Sequence, residues 1–81
     1  MKDEVQIKFL KELGDHIKSI RKKKKMSQSE VANLCGKERK SYQRVESGNI
    51  NPTVWYLQHI AISLEVELKD LLDVKLPKPK V

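Results

Sequence analysis

The sequence predicts an all-α domain: five short helices packed as one bundle. Three observations carry that expectation. Apolar residues recur at three- and four-residue spacing along most of the chain and never alternate in the period of a strand. Start and stop residues, namely Ser27, Gly36, Gly48 and Asn51-Pro52, divide the chain into segments of helical length. The 81 residues suit a single domain, and 38% hydrophobic with 35% charged content allows one small core.

The first helix is expected from Asp3 or Glu4 to Lys24. Val5, Phe9, Leu10, Leu13, Ile17 and Ile20 fall on one stripe. Arg21 to Lys25 collects cations at its C-terminal end, where the helix dipole favours them. Ser27 caps the second helix, and Ser27-x-x-Glu30 has capping-box spacing. Val31, Ala32 and Leu34 face inward there, and Gly36 ends the helix with a positive φ. The third helix covers Glu38 to Ser47, with Tyr42 and Val45 as buried anchors and Gly48 as its stop. Asn51 caps the fourth helix with Pro52 in its first turn, ahead of a core stripe of Val54, Leu57, Ala61 and Leu64. Leu68, Leu71 and Leu72 belong to a short fifth helix. Three segments follow: an N-terminal helical extension over 1–12, the bundle over 13–74, and a flexible basic Pro/Lys tail over 75–81.

Composition excludes several classes. No apolar run is long enough to span a membrane and no secretory signal opens the chain. A lone cysteine, Cys35, supports neither an internal disulfide nor a zinc cluster, so no metal is expected and the compartment is the reducing cytoplasm. At a helix end, Cys35 reads as a small packing residue; a redox switch beside Lys37 is the alternative. Asp15, His16 and the serines form no nucleophile arrangement and no phosphate-cradling glycine loop exists, so neither an enzyme nor a cofactor is expected.

Charge points elsewhere. The net charge is +6, but the stretch from Lys18 to Arg44 holds ten Lys or Arg against two acids, Glu30 and Glu38. That stretch carries +8 and the remainder −2. Such concentration around two helices joined at a glycine is the footprint of a polyanion partner. Arg39, Lys40 and Arg44 lie along one side of the third helix, the arrangement that presses a basic helix into a DNA groove. Lys22 to Lys25 are ambiguous: they could neutralise phosphates, keep a helix end soluble, or attract an anionic membrane, though no insertion helix adjoins them.

From Leu13 to Leu72 the chain resembles the lambda-repressor-like, Cro/C1-type (XRE) helix-turn-helix family. The resemblance rests on Leu13-Gly14, Arg21, Ser27-Gln28, Val31-Ala32, Gly36, Val45-Glu46, Gly48, Asn51-Pro52 and the closing Leu-rich segment. It implies a bundle whose second and third helices read double-stranded DNA in sequence-specific fashion, in a transcriptional regulator expected to be a small repressor. By the same resemblance Arg39, Lys40 and Arg44 read base edges from the third helix, with Ser41 and Gln43 as secondary candidates. Arg suits guanine O6 and N7, so a G-containing half-site is expected. Gln28 would meet a phosphate at the start of the second helix, and Ser27, Lys37, Asn49 and Lys25 complete the phosphate candidates. Arg21 and Glu46 would form a structural salt bridge between the first and third helices. Two departures stand out. Glu38 replaces the usual Ser or Thr and sets an anion near the DNA unless it caps or accepts from a cytosine amine. Tyr42 replaces an aliphatic residue, and its hydroxyl needs a partner.

One reading helix covers few base pairs, and family members usually bind as two-fold dimers. Trp55, His59 and Ile62 form a second apolar stripe on the fourth helix, continued by Val66. Either a second copy of the chain covers it, or the N-terminal extension folds over it through Val5 and Phe9. A homodimeric DNA-binding regulator acting at the nucleoid is the first reading. The alternative is an antitoxin or protein-interaction module, with a protein partner such as a toxin, in which DNA binding is secondary.

Overall fold

The computed structural model describes residues 3–75. Residues 76–81 of the expected basic tail lie outside the described residues. Five helices follow one another: α1 (Glu4–Lys23), α2 (Gln28–Leu34), α3 (Arg39–Glu46), α4 (Val54–Leu64) and α5 (Leu68–Leu71). Helix α1 runs unbroken through residues 12 and 13. Its N-cap is Asp3, whose Oδ1 accepts the Val5 N–H at 2.9 Å. At α2 the Ser27–Glu30 capping box is complete: each side chain accepts the other's backbone N–H at 3.0 Å. Gly36 and Gly48 take φ of +67° and +76°.

The core gathers one face from every helix. Leu13 and Ile17 of α1 meet Val31 and Ala32 of α2, Tyr42 and Val45 of α3, Leu57, Ile60, Ala61 and Leu64 of α4, and Leu71 of α5. Each fully buried aliphatic side chain contributes about 1.5–3 kcal/mol over leaving it in water. Helix α1 crosses the end of α3 at backbone contact. A Cβ on Gly14 would collide with the carbonyl oxygens of Val45 and Glu46, and one on Gly48 would lie 2.8 Å from Lys11 Cα. Glycine at these two places is what lets the helices touch. At the other end His16 ties α1 to α5, its Nε2–H donating to the Asp70 carbonyl at 2.7 Å.

Several expected positions are corrected. Leu34 is 63% exposed, because the inward face of α2 is Val31, Ala32 and Cys35, and Leu34 points about 100° away from it. Asn51 does not cap α4 and Pro52 is not in its first turn. Thr53 is the N-cap, its Oγ1 accepting the Tyr56 N–H at 3.0 Å, so Asn51 and Pro52 lie in the preceding loop. Val54, the first residue of α4, is exposed, and Ile60 takes the expected fourth place in the core stripe. Val5 is exposed near the start of α1, and Leu72 is the half-out C-cap of α5.

Candidate nucleic-acid interface

The helix-turn-helix is built from α2 and α3. Their junction turns at Gly36, where the Lys37 N–H returns to the Ala32 carbonyl at 2.9 Å. Helix α3 is eight residues long and divides cleanly by period. Tyr42, Val45 and Glu46 are buried, whereas Arg39, Lys40, Ser41, Gln43 and Arg44 are all exposed. Its N-cap is Glu38, whose backbone carbonyl accepts the Tyr42 N–H at 3.1 Å. The Glu38 side chain makes no capping hydrogen bond, and among the described residues its carboxylate has no ion-pair partner at the start of the exposed basic helix.

Beneath that face lies a closed polar network centred on Glu46. Arg21 Nε donates to Glu46 Oε2 at 2.7 Å and Arg21 Nη2 to Oε1 at 3.1 Å, a two-point pairing. The Tyr42 hydroxyl, one helical turn back on α3, donates to Oε2, which supplies the partner that an aromatic residue at this position requires. Gln28 Nε2 donates to Oε1 at 3.1 Å, and Arg21 Nη1 to the Met26 carbonyl at 2.8 Å. One carboxylate thus joins α1, α2 and α3, and every lone-pair direction it offers is used.

The titration behaviour follows from these contacts. Burial pushes the Glu46 carboxyl up, but hydrogen bonds from Arg21, Tyr42 and Gln28 outweigh it and hold the group below its ordinary value. The same bond to Glu46 raises Arg21 against the opposing effect of burial. Burial first, then the Glu46 bond, raises the Tyr42 phenol far above its usual range.

The phosphate candidates sit around this unit. Gln28 opens α2, and its link to Glu46 engages one of its two amide N–H groups. Ser27 is occupied as the cap, leaving its hydroxyl proton. Lys25 adopts φ of +58° in the α1–α2 turn, a left-handed conformation that L-residues with side chains disfavour. Lys37 holds its ammonium 5.2 Å from the Tyr56 ring centroid, over the start of α4. Asn49 is exposed just after α3.

Three features escaped sequence reasoning. The Gln28–Glu46 bond joins residues 18 apart, with no local signal. The recess of about 450 Å³ between Gly36–Lys37 and the start of α4 includes Trp55, Tyr56 and His59. Burial raises the Tyr56 phenol, and its hydroxyl has no hydrogen-bond partner among the described residues. Cys35, at the end of α2, is buried with Sγ 3.4 Å from Ser63 Oγ, which places it among packing contacts rather than at the surface.

The α4 stripe is open. Trp55 is 69% and Ile62 62% exposed; His59 is half-buried and packs against Trp55 with ring centroids 4.5 Å apart and the ring planes tilted by 59°. The N-terminal part of α1 does not cover them, since Val5 itself is exposed and Phe9 turns to the core. Among the described residues no helix is long and apolar enough to cross a membrane.

A two-helix reading unit with a solvent-facing basic second helix, set in a five-helix bundle, defines a helix-turn-helix DNA-binding protein. The HTH_3 family profile, described as "Helix-turn-helix", matches residues 17–71, and the chain belongs to that family of DNA-binding regulators, of Cro/C1 (XRE) type. The fold is similar to that of the restriction-modification controller protein C.AhdI from Aeromonas hydrophila. The two are 29% identical over 76% of this chain and 94% of that one, with a TM-score of 0.75. An HTH_3 family transcriptional regulator from Vibrio cholerae is 25% identical over 83% of this chain but only 38% of its own, with a TM-score of 0.76. The clp gene regulator ClgR from C. glutamicum, 20% identical over 79% of this chain and 82% of its own, shares the fold with a TM-score of 0.77. A search of curated proteins found no significant match.

Proposed function

We propose that the chain is a small, sequence-specific transcriptional repressor that binds double-stranded DNA in the cytoplasm as a homodimer. Helix α3 enters the major groove, where Arg39, Lys40 and Arg44 read base edges with help from Ser41 and Gln43. Gln28, Ser27, Lys25, Lys37 and Asn49 hold the flanking phosphates. The observation that carries this reading is the division of α3, with its cations and Gln43 outside and its anchors within. The Glu38 carboxylate either accepts from a cytosine amine or repels the backbone, so it restricts the sites that fit. The 29% identity to a restriction-modification controller supports a regulator of that kind.

Selection from a random-sequence duplex pool tests the reading. Enrichment of a two-fold symmetric, G-containing site is expected, with affinity falling about a thousandfold from 50 to 200 mM salt if about six phosphates are neutralised. Arg39→Ala and Arg44→Ala should each relax one position of that site at a cost of about 1–3 kcal/mol. No enrichment, with both variants binding like the parent, would sink it.

The second reading, an antitoxin or protein-interaction module, draws on the exposed Trp55 and Ile62. A partner such as a toxin would occupy that face in place of a second copy. Stable monomers at high concentration would favour it.

A further inference from the structure

On the α1 side of the reading unit lies a recess of about 270 Å³; Gln28 and Gln43 at its edge have roles above, but its α1 residues have none. One wall is a stripe of α1, Lys11, Asp15 and Lys18, at spacings of four and three. The facing wall is a stripe of α3, Gln43 and Ser47, with Gln28 of α2 at the end and the Glu46 carboxylate at the floor. Two facts fix the walls. Gly48 packs on the Lys11 backbone and Gly14 on the end of α3, so α1 cannot drift away. Gln28 is held by Glu46.

We propose that this recess is a binding site for one DNA backbone phosphate, with Lys11 and Lys18 of α1 as its cationic ligands. The proposal rests on the DNA-binding reading and extends the contact surface beyond the two helices of the reading unit. Three observations carry it. Gln43 is on the exposed face of α3, so the mouth of the recess adjoins the surface that faces the groove. Lys11 and Lys18 are exposed, and neither forms an ion pair among the described residues. The floor is not a free anion, because Arg21, Tyr42 and Gln28 satisfy Glu46. Gln28 keeps one amide N–H and Gln43 adds a second neutral donor, while the Ser47 hydroxyl is committed to the Arg44 carbonyl at 3.2 Å, so an anion in the recess meets donors from three helices, α1, α2 and α3. At roughly nine water volumes of about 30 Å³ each, it admits a phosphate with some of its hydration. Asp15 is the dissenting group. Between the two lysines in the stripe, it weakens the site and provides its sharpest test.

The test uses the full chain and two probes, a random-sequence duplex and the duplexes selected from a pool. Lys11→Gln/Lys18→Gln is compared with Lys69→Gln, a charge change on exposed α5. The expected result is weaker binding to both probes by a similar factor, so that the preference for selected duplexes is retained. The magnitude of the salt slope should fall by about 0.9 for each protomer bound, so that per protomer the ratio of parent to variant affinity shrinks roughly threefold from 50 to 200 mM salt. Lys69→Gln should leave the slope unchanged. Asp15→Asn should tighten both probes several-fold, and Glu67→Gln should not. Circular dichroism confirms that each variant is folded. Unchanged slope in the double lysine variant, with Arg44→Ala still weakening the selected duplex, overturns the phosphate site and leaves the DNA reading standing. An equal slope change in Lys69→Gln overturns it too, because the effect is then bulk charge. Absence of duplex binding by the parent overturns both.

Discussion

The two sides of this small bundle are finished to different degrees. Where α1 crosses α3, glycines bring backbones into contact and Glu46 accepts from Arg21, Tyr42 and Gln28. On the outer face of α4, an indole and an isoleucine stand in water. The difference teaches which property each side secures. The orientation of α3 is fixed within one chain, since the atoms that hold it come from α1, α2 and α3 themselves. The outer face of α4 is apolar surface that the described residues leave uncovered, and surface of that kind is what a second molecule would cover.

The largest effects should come from breaking the finished side. Glu46→Ala strands the buried Arg21 guanidinium, and Arg21→Ala strands the carboxylate. Either should cost on the order of 3–5 kcal/mol and lower Tm by more than about 10 °C in a thermal melt. If either loses less than about 1 kcal/mol, the pair is not what braces the helices. The same network predicts a pH dependence. The folded Glu46 value is depressed, so the unfolded chain binds its proton first as pH falls. The stabilisation is therefore complete above the ordinary value of 4.5 and is lost progressively as pH falls below it through the folded value. Urea melts between pH 7 and pH 3 should show that loss in the parent and a shallower one in Glu46→Gln.

A smaller cut isolates the aromatic member of the network. Tyr42→Phe keeps the ring in the core and removes only the hydroxyl that donates to Glu46. A hydrogen bond to a charged group supports a loss of about 1.5–3 kcal/mol. Combining it with Glu46→Gln in a double-mutant cycle should recover part of that loss as coupling. Strict additivity of the two would mean that the hydroxyl is not part of the brace.

How far the sequence disclosed this contrast depended on the range of each signal. The Ser27–Glu30 box, the positive φ at Gly36, the helix stop at Gly48 and the buried Tyr42–Val45 pair were legible, because each is set by residues within four positions. The start of α4 was misread because Asn51 and Thr53 both carry capping side chains. Only Thr53 stands three residues before the N–H that it caps, while Asn51 is held extended by the proline after it. Leu34 was misassigned because a helix of seven residues gives its period little chance to declare a face, and Cys35 holds the inner position. The link from Gln28 to Glu46 and the recess beside Lys11 and Lys18 arise where three helices converge. No spacing along one helix announces them.

Lys25 tests whether the finished side is uniformly so. It is a non-glycine residue at φ of +58°, one turn from the closed network. Lys25→Gly removes the left-handed strain while loosening the unfolded chain, so the net gain should be about 0.5–1 kcal/mol and a few degrees in Tm. Under the phosphate role proposed for Lys25, the same variant should bind duplex DNA more weakly, with a salt slope smaller in magnitude by about 0.9 for each protomer bound. A gain in stability with unchanged binding would show a strained residue with no contact to justify it. A loss of stability would show that the turn is not strained.

The smallest change in chain stability should come from the open side, and there the contrast is sharpest. Trp55 is exposed, so Trp55→Ala removes little burial from the single chain, and its melt at low protein concentration should shift by no more than about 0.5 kcal/mol. Its effect belongs to assembly. If a second copy covers this face, light scattering should find the parent dimeric and the variant monomeric, and the parent's Tm, unlike the variant's, should rise with protein concentration. Binding to a two-fold symmetric site would then fall far more than binding to one half-site, because the second reading helix is no longer delivered with the first. A dimer that survives the substitution would move the interface off Trp55. A variant that unfolds would show that the indole supports its own chain, and the division between a finished side and an open one would fail at this residue.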